Sequence, residues 1–435
     1  LHLSIRRQRQ MCIRDRRVTA RTSAFAFRGK EVDVREIGAR LNVDHILEGS
    51  VRKAGNRIRV TAQLVKASDG YHLWSERYDR EISDVFAVQD EISQSVADKL
   101  RGQMGRGPRA VRKPTEDLEA YNLYLQGRYH LYKWTPDGFA KGRQCFEQAI
   151  ARDPEFALAY DSLAELYWFL GFFGVLPPKE AFSTGVWAAL RALEIDDTLA
   201  ETHALLGMYR KELDYNWPEV HREMRRALEL NPESPVVRLR NALSGLMPLG
   251  RIQEAVAEVE HALQSDPLSL FLQWWLAIML YFGRHYDRAL EQARRMLDLD
   301  PSYFLAHFVQ AMVCLEMGRH QEALAASRRS ADLSGGMPLS LGVLGLLYGR
   351  SGETGEARAL LDRLEAMARA TYVPPTSFAW IYFGLGDADN GFLWMERAVE
   401  ARDPIIMPVK TFPFLDPLRT DPRYHALLRK MNLEP

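Results

Sequence analysis

Two hydrophobic periods divide this chain near residue 100. Before that point Ile58, Val60, Ala62 and Leu64 alternate with polar residues, the period-two signature of a half-buried strand. Asp44–Arg52 and Tyr71–Tyr78 read as strands on either side of it, joined through turns at Ala54-Gly55-Asn56 and Ser68-Asp69-Gly70. Val34, Ile37 and Leu41 keep helical spacing, as do Phe86, Val88, Ile92, Val96 and Leu100 after the N-cap candidate Ser83. From Thr115 onward the pattern is helical throughout, and it repeats. Ala255, Ala289, Ala323 and Ala357 lie 34 residues apart, and the next step lands on Gly391. A turn glycine stands five residues before most of them, at Gly250, Gly318, Gly352 and Gly386, with Gly283 one residue early in the second unit. The units close on Asn231-Pro232, Asp266-Pro267, Asp300-Pro301 and Asp403-Pro404. Such a period predicts stacked helix–turn–helix units: a small residue lets paired helices approach, and glycine permits the left-handed turn.

Leu344-Gly345 with Tyr348 and Ala357 reproduces the L-G-x-x-Y…A spacing, and Phe378-Ala379, Tyr382 and Ala398 come close to it. This stretch resembles the tetratricopeptide repeat (TPR) family. The predicted fold is mainly α: a TPR α-solenoid of about eight helical pairs over 115–404, capped by 405–435, preceded by a small α/β domain. The first pair is expected at Tyr121–Tyr132 and Asp137–Ala151. The second is stretched, with 43 positions from Ala149 to Ala192, and the surplus falls in the apolar Phe169–Pro178 loop. That loop is either a docking surface or packing against the neighbouring unit. Steps of 35 from Ala192 to Ala227 to Ala262 call for one extra residue each, expected in loops. A solenoid needs its terminal apolar face covered, and Phe412–Pro417 with the short helix Pro422–Met431 is expected to do that.

Over residues 18–100, Arg21-Thr22-Ser23-Ala24-Phe25, Leu47-Glu48-Gly49-Ser50-Val51-Arg52, Arg59-Val60-Thr61-Ala62-Gln63-Leu64 and Leu73-Trp74-Ser75-Glu76-Arg77-Tyr78 resemble the TolB-like N-terminal domain. The family resemblance implies a further strand and helix upstream, so the domain is expected to be truncated here with an exposed sheet edge. It also implies a bacterial signalling protein, because such domains precede TPR arrays there. Phe414-Leu415-Asp416-Pro417-Leu418-Arg419 and Asp421-Pro422-Arg423-Tyr424 resemble the usual ending of that group.

Charge changes this picture little. The 57 basic and 57 acidic residues balance, but residues 1–17 hold six arginines and one aspartate, net +5, which leaves −5 for the rest. Met11-Cys12-Ile13-Arg14-Asp15-Arg16 resembles the translation of a transposon-end adapter used in sequencing libraries, so 1–17 is expected to be a non-native leader. Residues 101–114 read as a Gly/Arg-rich linker. Three cysteines give no disulfide framework, which suits a cytoplasmic setting; a periplasmic one stays open if an upstream membrane segment exists. The uncharged runs Pro267–Gly283 and Leu333–Gly349 are 17 residues each, short of a span and in phase with first helices of the repeat, so they are expected in the core.

No phosphate loop, dinucleotide fingerprint, zinc helix or nucleophile elbow occurs, and the 11 histidines are scattered, with His221 two residues before Glu223. Neither enzyme chemistry, cofactor, metal nor direct nucleic-acid binding is expected. A solenoid offers a concave face lined by first helices. In TPR register Arg240, Trp274, Ile278, Tyr281, Phe308, Met312 and Arg350 fall on it as candidates for anchoring a protein or peptide partner. Trp274 and Trp275 are adjacent and are not expected to point inward together. The expected function is a non-catalytic scaffold or sensing region. The alternative is the regulatory half of a nucleotide cyclase, protein kinase or winged-helix regulator whose effector domain lies upstream.

Overall fold

The computed structural model describes residues 19, 23–24, 26–27, 30, 32–81, 88, 91–92, 95–96, 114–133 and 135–433. The leader, nearly all of the linker, Ser83, Phe86 and Leu100 lie outside the described residues. The chain separates into two units, one comprising 1–129, 144–156 and 264–269, the other 130–143, 157–263 and 270–435.

In the first unit α1 (Val34–Leu41) starts at Asp33, whose carboxylate accepts the Arg35 N–H, and stops at Asn42 in the left-handed region. Three strands follow as an antiparallel meander ordered β1-β2-β3: β1 (His45–Ala54), β2 (Arg57–Lys66) and β3 (His72–Glu81). Gly55 and Gly70 take positive φ in the two turns. The period-two pattern decides the faces. Ile58, Val60, Ala62 and Leu64 pack with Trp74 and Tyr78 against Val88 and Ile92. On the opposite face Arg59 pairs with Asp79 and Ser50 bonds Thr61. Part of the first helical pair, α2 (Leu118–Leu131) and α3 (Pro136–Arg152), belongs to this unit, where Tyr124 and Gly127 meet Phe146.

The second unit is helical. It holds the pairs α4 (Ala157–Phe172) with α5 (Pro178–Ile195), and α6 (Ala200–Asp214) with α7 (Trp217–Leu230). Next come α8 (Pro235–Asn241, continuing as a π-turn Ala242–Leu246 and a 3-10 turn Met247–Leu249) with α9 (Ile252–Ser265). Then follow α10 (Leu270–Phe282) with α11 (Tyr286–Leu299), and α12 (Phe304–Glu316) with α13 (His320–Leu333). The last pairs are α14 (Pro338–Arg350) with α15 (Thr354–Ala368), and α16 (Pro375–Gly384) with α17 (Ala388–Ala401). After two 3-10 turns, Pro404–Ile406 and Pro413–Leu418, the described chain ends with α18 (Pro422–Lys430).

The period has a direct structural cause. Ala255, Ala289, Ala323 and Ala357 are each fully buried, and Gly391 lies so close to the Phe383 ring that a Cβ would overlap it. The left-handed turn residues are Gly250, Arg284, Gly318, Gly352 and Gly386, a strict 34-residue series. The second unit thus departs from the glycine reading: Arg284 (φ 63°), not Gly283, takes the left-handed position. The Asp300-Pro301 and Asp403-Pro404 closures work by side-chain capping. Asp300 accepts the Ser302 N–H at 2.8 Å, and the following proline cannot extend the helix.

The extra residue of the second 35-residue step, Ala227 to Ala262, does not sit in a loop, contrary to expectation. From Tyr215, itself left-handed, to Gly250 the additional position lies within α8, where the backbone widens into the π-turn and Met247 N–H reaches the Ala242 carbonyl. An inserted residue in a helix already buried by its neighbours costs less as a π-turn than as a shift of every downstream contact. Both uncharged 17-residue runs supply buried first helices, α10 and α14, and no helix among the described residues is long and apolar enough to cross a membrane.

Candidate functional site

The first helices α8, α10, α12 and α14 carry the seven candidate residues, and six of the seven are enclosed. Arg240 is buried, donating to Glu165 at 3.0 Å and to the Glu201 carbonyl at 2.6 Å. A buried guanidinium paired in this way holds α8 against α4 and α6. Trp274, Ile278, Tyr281, Phe308 and Met312 are also buried, and Tyr281 is among the most enclosed side chains. Only Arg350, at the C-terminal end of α14, is exposed, and its charge acts on Glu316.

The enclosure has two sources. Near α10 an aromatic cluster closes the face. Trp274 and Trp275 are both buried, 4.4 Å apart, and each packs on Phe271 and Phe172. Both are buried although they point in adjacent directions, because α10 is enclosed along nearly its whole length. Phe169 and Phe172, expected in a loop, instead lie on the last turn of α4 and are part of this cluster, whereas Val175, in the short loop that follows, is exposed.

Near α16 the face is covered by the segment after Asp403. Phe412 packs edge-on against Phe282 at 5.4 Å and Trp380 at 5.7 Å, and Phe414 lies 5.9 Å from Trp380. Trp380 in turn meets Phe308 at 6.4 Å. Arg284 donates to the Thr411 carbonyl at 2.8 Å and to both Asp416 oxygens at 2.9 Å. Further along, Trp217 Nε1 donates to the Met431 carbonyl and Asn432 to the Tyr215 carbonyl. The same segment packs on the last repeat, where Arg423 pairs with Asp389 and stacks on Phe392, and Lys430 pairs with Glu396. Asp403 anchors it: fully buried, its carboxylate accepts from Thr376 N and Oγ1 and from Ile405 N. Burial nonetheless holds the Asp403 carboxyl above the usual carboxylate range.

Sequence reasoning missed Arg284. Its signal was positional, since a 34-residue step from Gly250 lands on it. Glu223 lies 2.7 Å from His203, a pair brought together because α6 packs on α7. Burial disfavours a charged His203 ring, but the Glu223 hydrogen bond, the Asp197 carbonyl and the Glu223 charge outweigh it and raise the histidine pKa above 6.5. Glu223 is held below 4.5: burial opposes this, and the bonds to His203 and Arg222 prevail. A raised histidine pKa means the folded state holds the proton more tightly, so this stabilisation is complete below about pH 6.5 and fades as pH rises through the folded value. Thermal melts from pH 6 to 9 should therefore show a smaller decline for His203→Gln than for the parent chain. Equal slopes would contradict the pairing.

Two grooves are open to solvent among the described residues. One, of about 540 Å³, lies beside the π-turn and is lined by His221, Arg225, Asn241 and Arg251 among others. The other, of about 390 Å³, has an apolar floor of Ala331, Leu341 and Leu344 under Arg328 and Arg363. Among the described residues no three His, Cys, Asp or Glu side chains gather as a metal site.

Comparison with known proteins agrees with the helical period. A family profile described as "Tetratricopeptide repeat" matches residues 276–338, which span α10 to α13. A protein of Rhizobium meliloti (strain 1021) named "Putative adenylate cyclase 3" is 39% identical over 149 residues, 34% of this chain and 25% of that protein. The chain thus spans about a quarter of that relative's length. Among solved structures, a monomeric mutant of IFIT1 with m7Gppp-AAAA aligns over 80% of this chain and 76% of its own, at 12% identity and a TM-score of 0.50. TTC0263, a thermophilic TPR protein of Thermus thermophilus, aligns over 45% of this chain and 99% of its own, at 17% identity and a TM-score of 0.38. The helical part of this chain thus has the fold of a helix-pair solenoid, and residues 276–338 of it match the tetratricopeptide-repeat family.

Proposed function

We propose that this chain is a non-catalytic interaction scaffold or sensing region of a bacterial signalling protein, whose repeat array holds a protein or peptide partner. The observation that carries this reading is the array itself. Successive helix pairs locked by fully buried alanines form an extended, ordered surface, the geometry that repeat proteins use for binding. The site is assigned to the first-helix face. There Arg350 makes direct contact, while Arg240, Trp274, Ile278, Tyr281, Phe308 and Met312 hold the face in shape from beneath. The TolB-like resemblance assigns residues 18–100 to docking or sensing.

A second reading places this chain as the regulatory C-terminal part of a nucleotide cyclase. The relative named as an adenylate cyclase supports it, since the match leaves most of that protein uncovered. Expressing the longest reading frame that contains this chain separates the two. Cyclase activity in the long protein, absent from the isolated chain, supports the regulatory reading; activity in the isolated chain contradicts both. For the scaffold, Arg350→Glu should weaken a partner captured by the parent chain about tenfold, the scale of one lost interfacial charge, without moving the melting temperature. Undiminished capture would remove the first-helix face as the site.

A further inference from the structure

The segment over the first-helix face has the character of a bound peptide. Between Asp403 and Asp421 it forms only 3-10 turns, punctuated by Pro404, Pro408, Pro413 and Pro417. Prolines restrict the backbone of the undocked segment and so lower the entropy lost on docking. Phe412 and Phe414 enter a groove between Phe282 and Trp380, and Asp416 supplies a carboxylate to Arg284.

Arg284 is the second observation, independent of the first. It stands at the left-handed turn position that glycine fills in four of the five strictly spaced units. A side chain there is strained, and a turn alone gives no reason to retain it. The guanidinium does, because it reaches the Thr411 carbonyl and the Asp416 carboxylate across 127 and 132 residues.

We infer that the groove formed by Phe282, Arg284, Phe308 and Trp380 is a recognition site for an aromatic–Pro–aromatic–Leu–acid segment, filled in this structure by the chain's own Phe412-Pro413-Phe414-Leu415-Asp416. A partner peptide of that chemistry reaches the groove only by replacing this segment. The inference rests on the scaffold reading and names the partner's chemistry. Arg284 selects for the acid and for an exposed carbonyl five residues before it, through charge-assisted hydrogen bonds.

The test uses the full chain and a labelled synthetic peptide of residues 408–420. The ion pair between Arg284 and Asp416 is partly exposed, so Asp416→Arg weakens the internal segment without emptying the core. The peptide should bind the Asp416→Arg chain about tenfold more tightly than the parent chain, the scale of one charge-assisted contact at a partly exposed site. A peptide carrying the same Asp-to-Arg change should not bind. Equal binding to both chains, or none to either, overturns the proposal. Should Asp416→Arg melt the array, Arg284→Gly carries the test, since it restores the turn residue of the other units. Hydrogen exchange at 409–416 should then quicken about tenfold while the helices of α10–α13 keep their protection. Unchanged exchange at 409–416, or a uniform loss, overturns it. Because these arms read a defined peptide or the segment's own exchange, their failure leaves the Arg350 experiment standing, and the reverse also holds.

Discussion

Replacing Trp380 by alanine should destabilise the helical unit by about 3–5 kcal/mol, the range for truncating a fully enclosed tryptophan. Trp380 is among the largest completely buried side chains and touches Phe308, Phe412 and Phe414 at once. Its removal opens a cavity bounded by two helices and the C-terminal segment. The surrounding helices are fixed by their own partners and cannot collapse into it. Denaturant unfolding followed by circular dichroism measures the loss. Trp187, about half exposed on α5, is the matched control, and its alanine variant should stay within about 0.5 kcal/mol of the parent. Similar effects at both positions would contradict the burial described for α16.

Gly349→Ala should also destabilise, by about 1–3 kcal/mol, although alanine is the better helix former by about 1 kcal/mol. The reason is a backbone contact. α14 and α16 approach along Gly342, Gly345 and Gly349 on one side and Ser377, Ile381 and Gly384 on the other. A Cβ on Gly349 would lie 2.6 Å from the Leu385 nitrogen and closer still to the Gly384 backbone, which cannot rotate away. Gly355 on α15 has nothing within 4 Å of a built Cβ, so Gly355→Ala should be neutral or stabilising by up to about 1 kcal/mol. Opposite signs for the two substitutions in the same melt series are the expected result. The same sign would mean that the helices stand further apart.

Those contrasts show what a one-dimensional period can and cannot say. Spacing alone located Ala255, Ala289, Ala323 and Ala357, because a buried small residue is imposed by a partner helix one turn away in the same unit. The alternation Ile58, Val60, Ala62, Leu64 located the buried face of β2 for the same local reason. Arg284 escaped notice because the eye follows glycine, while the backbone follows register. The π-turn in α8 was invisible because an inserted residue leaves the same gap in the period whether it enters a loop or a helix. The enclosure of Trp274, Tyr281 and Phe308 depends on residues far along the chain. Phe172 lies about a hundred positions before Trp274, and Phe412 lies 130 after Phe282, distances at which no helical period carries information. Repeat residues facing inward read identically whether a groove is open or filled.

The segment between Asp403 and Asp421 covers the first-helix face where Phe282 and Trp380 stand. Amide hydrogen exchange of the parent chain, resolved at Val409, Thr411, Phe412 and Leu415, tests it most directly. Each of these amides donates to a carbonyl within the segment and each residue is buried. Exchange at least about a hundredfold slower than for an unstructured peptide is the predicted result, since protection follows the cost of local opening. Exchange at the unstructured rate, with the helices of α10–α13 protected, would show the face uncovered and contradict the account.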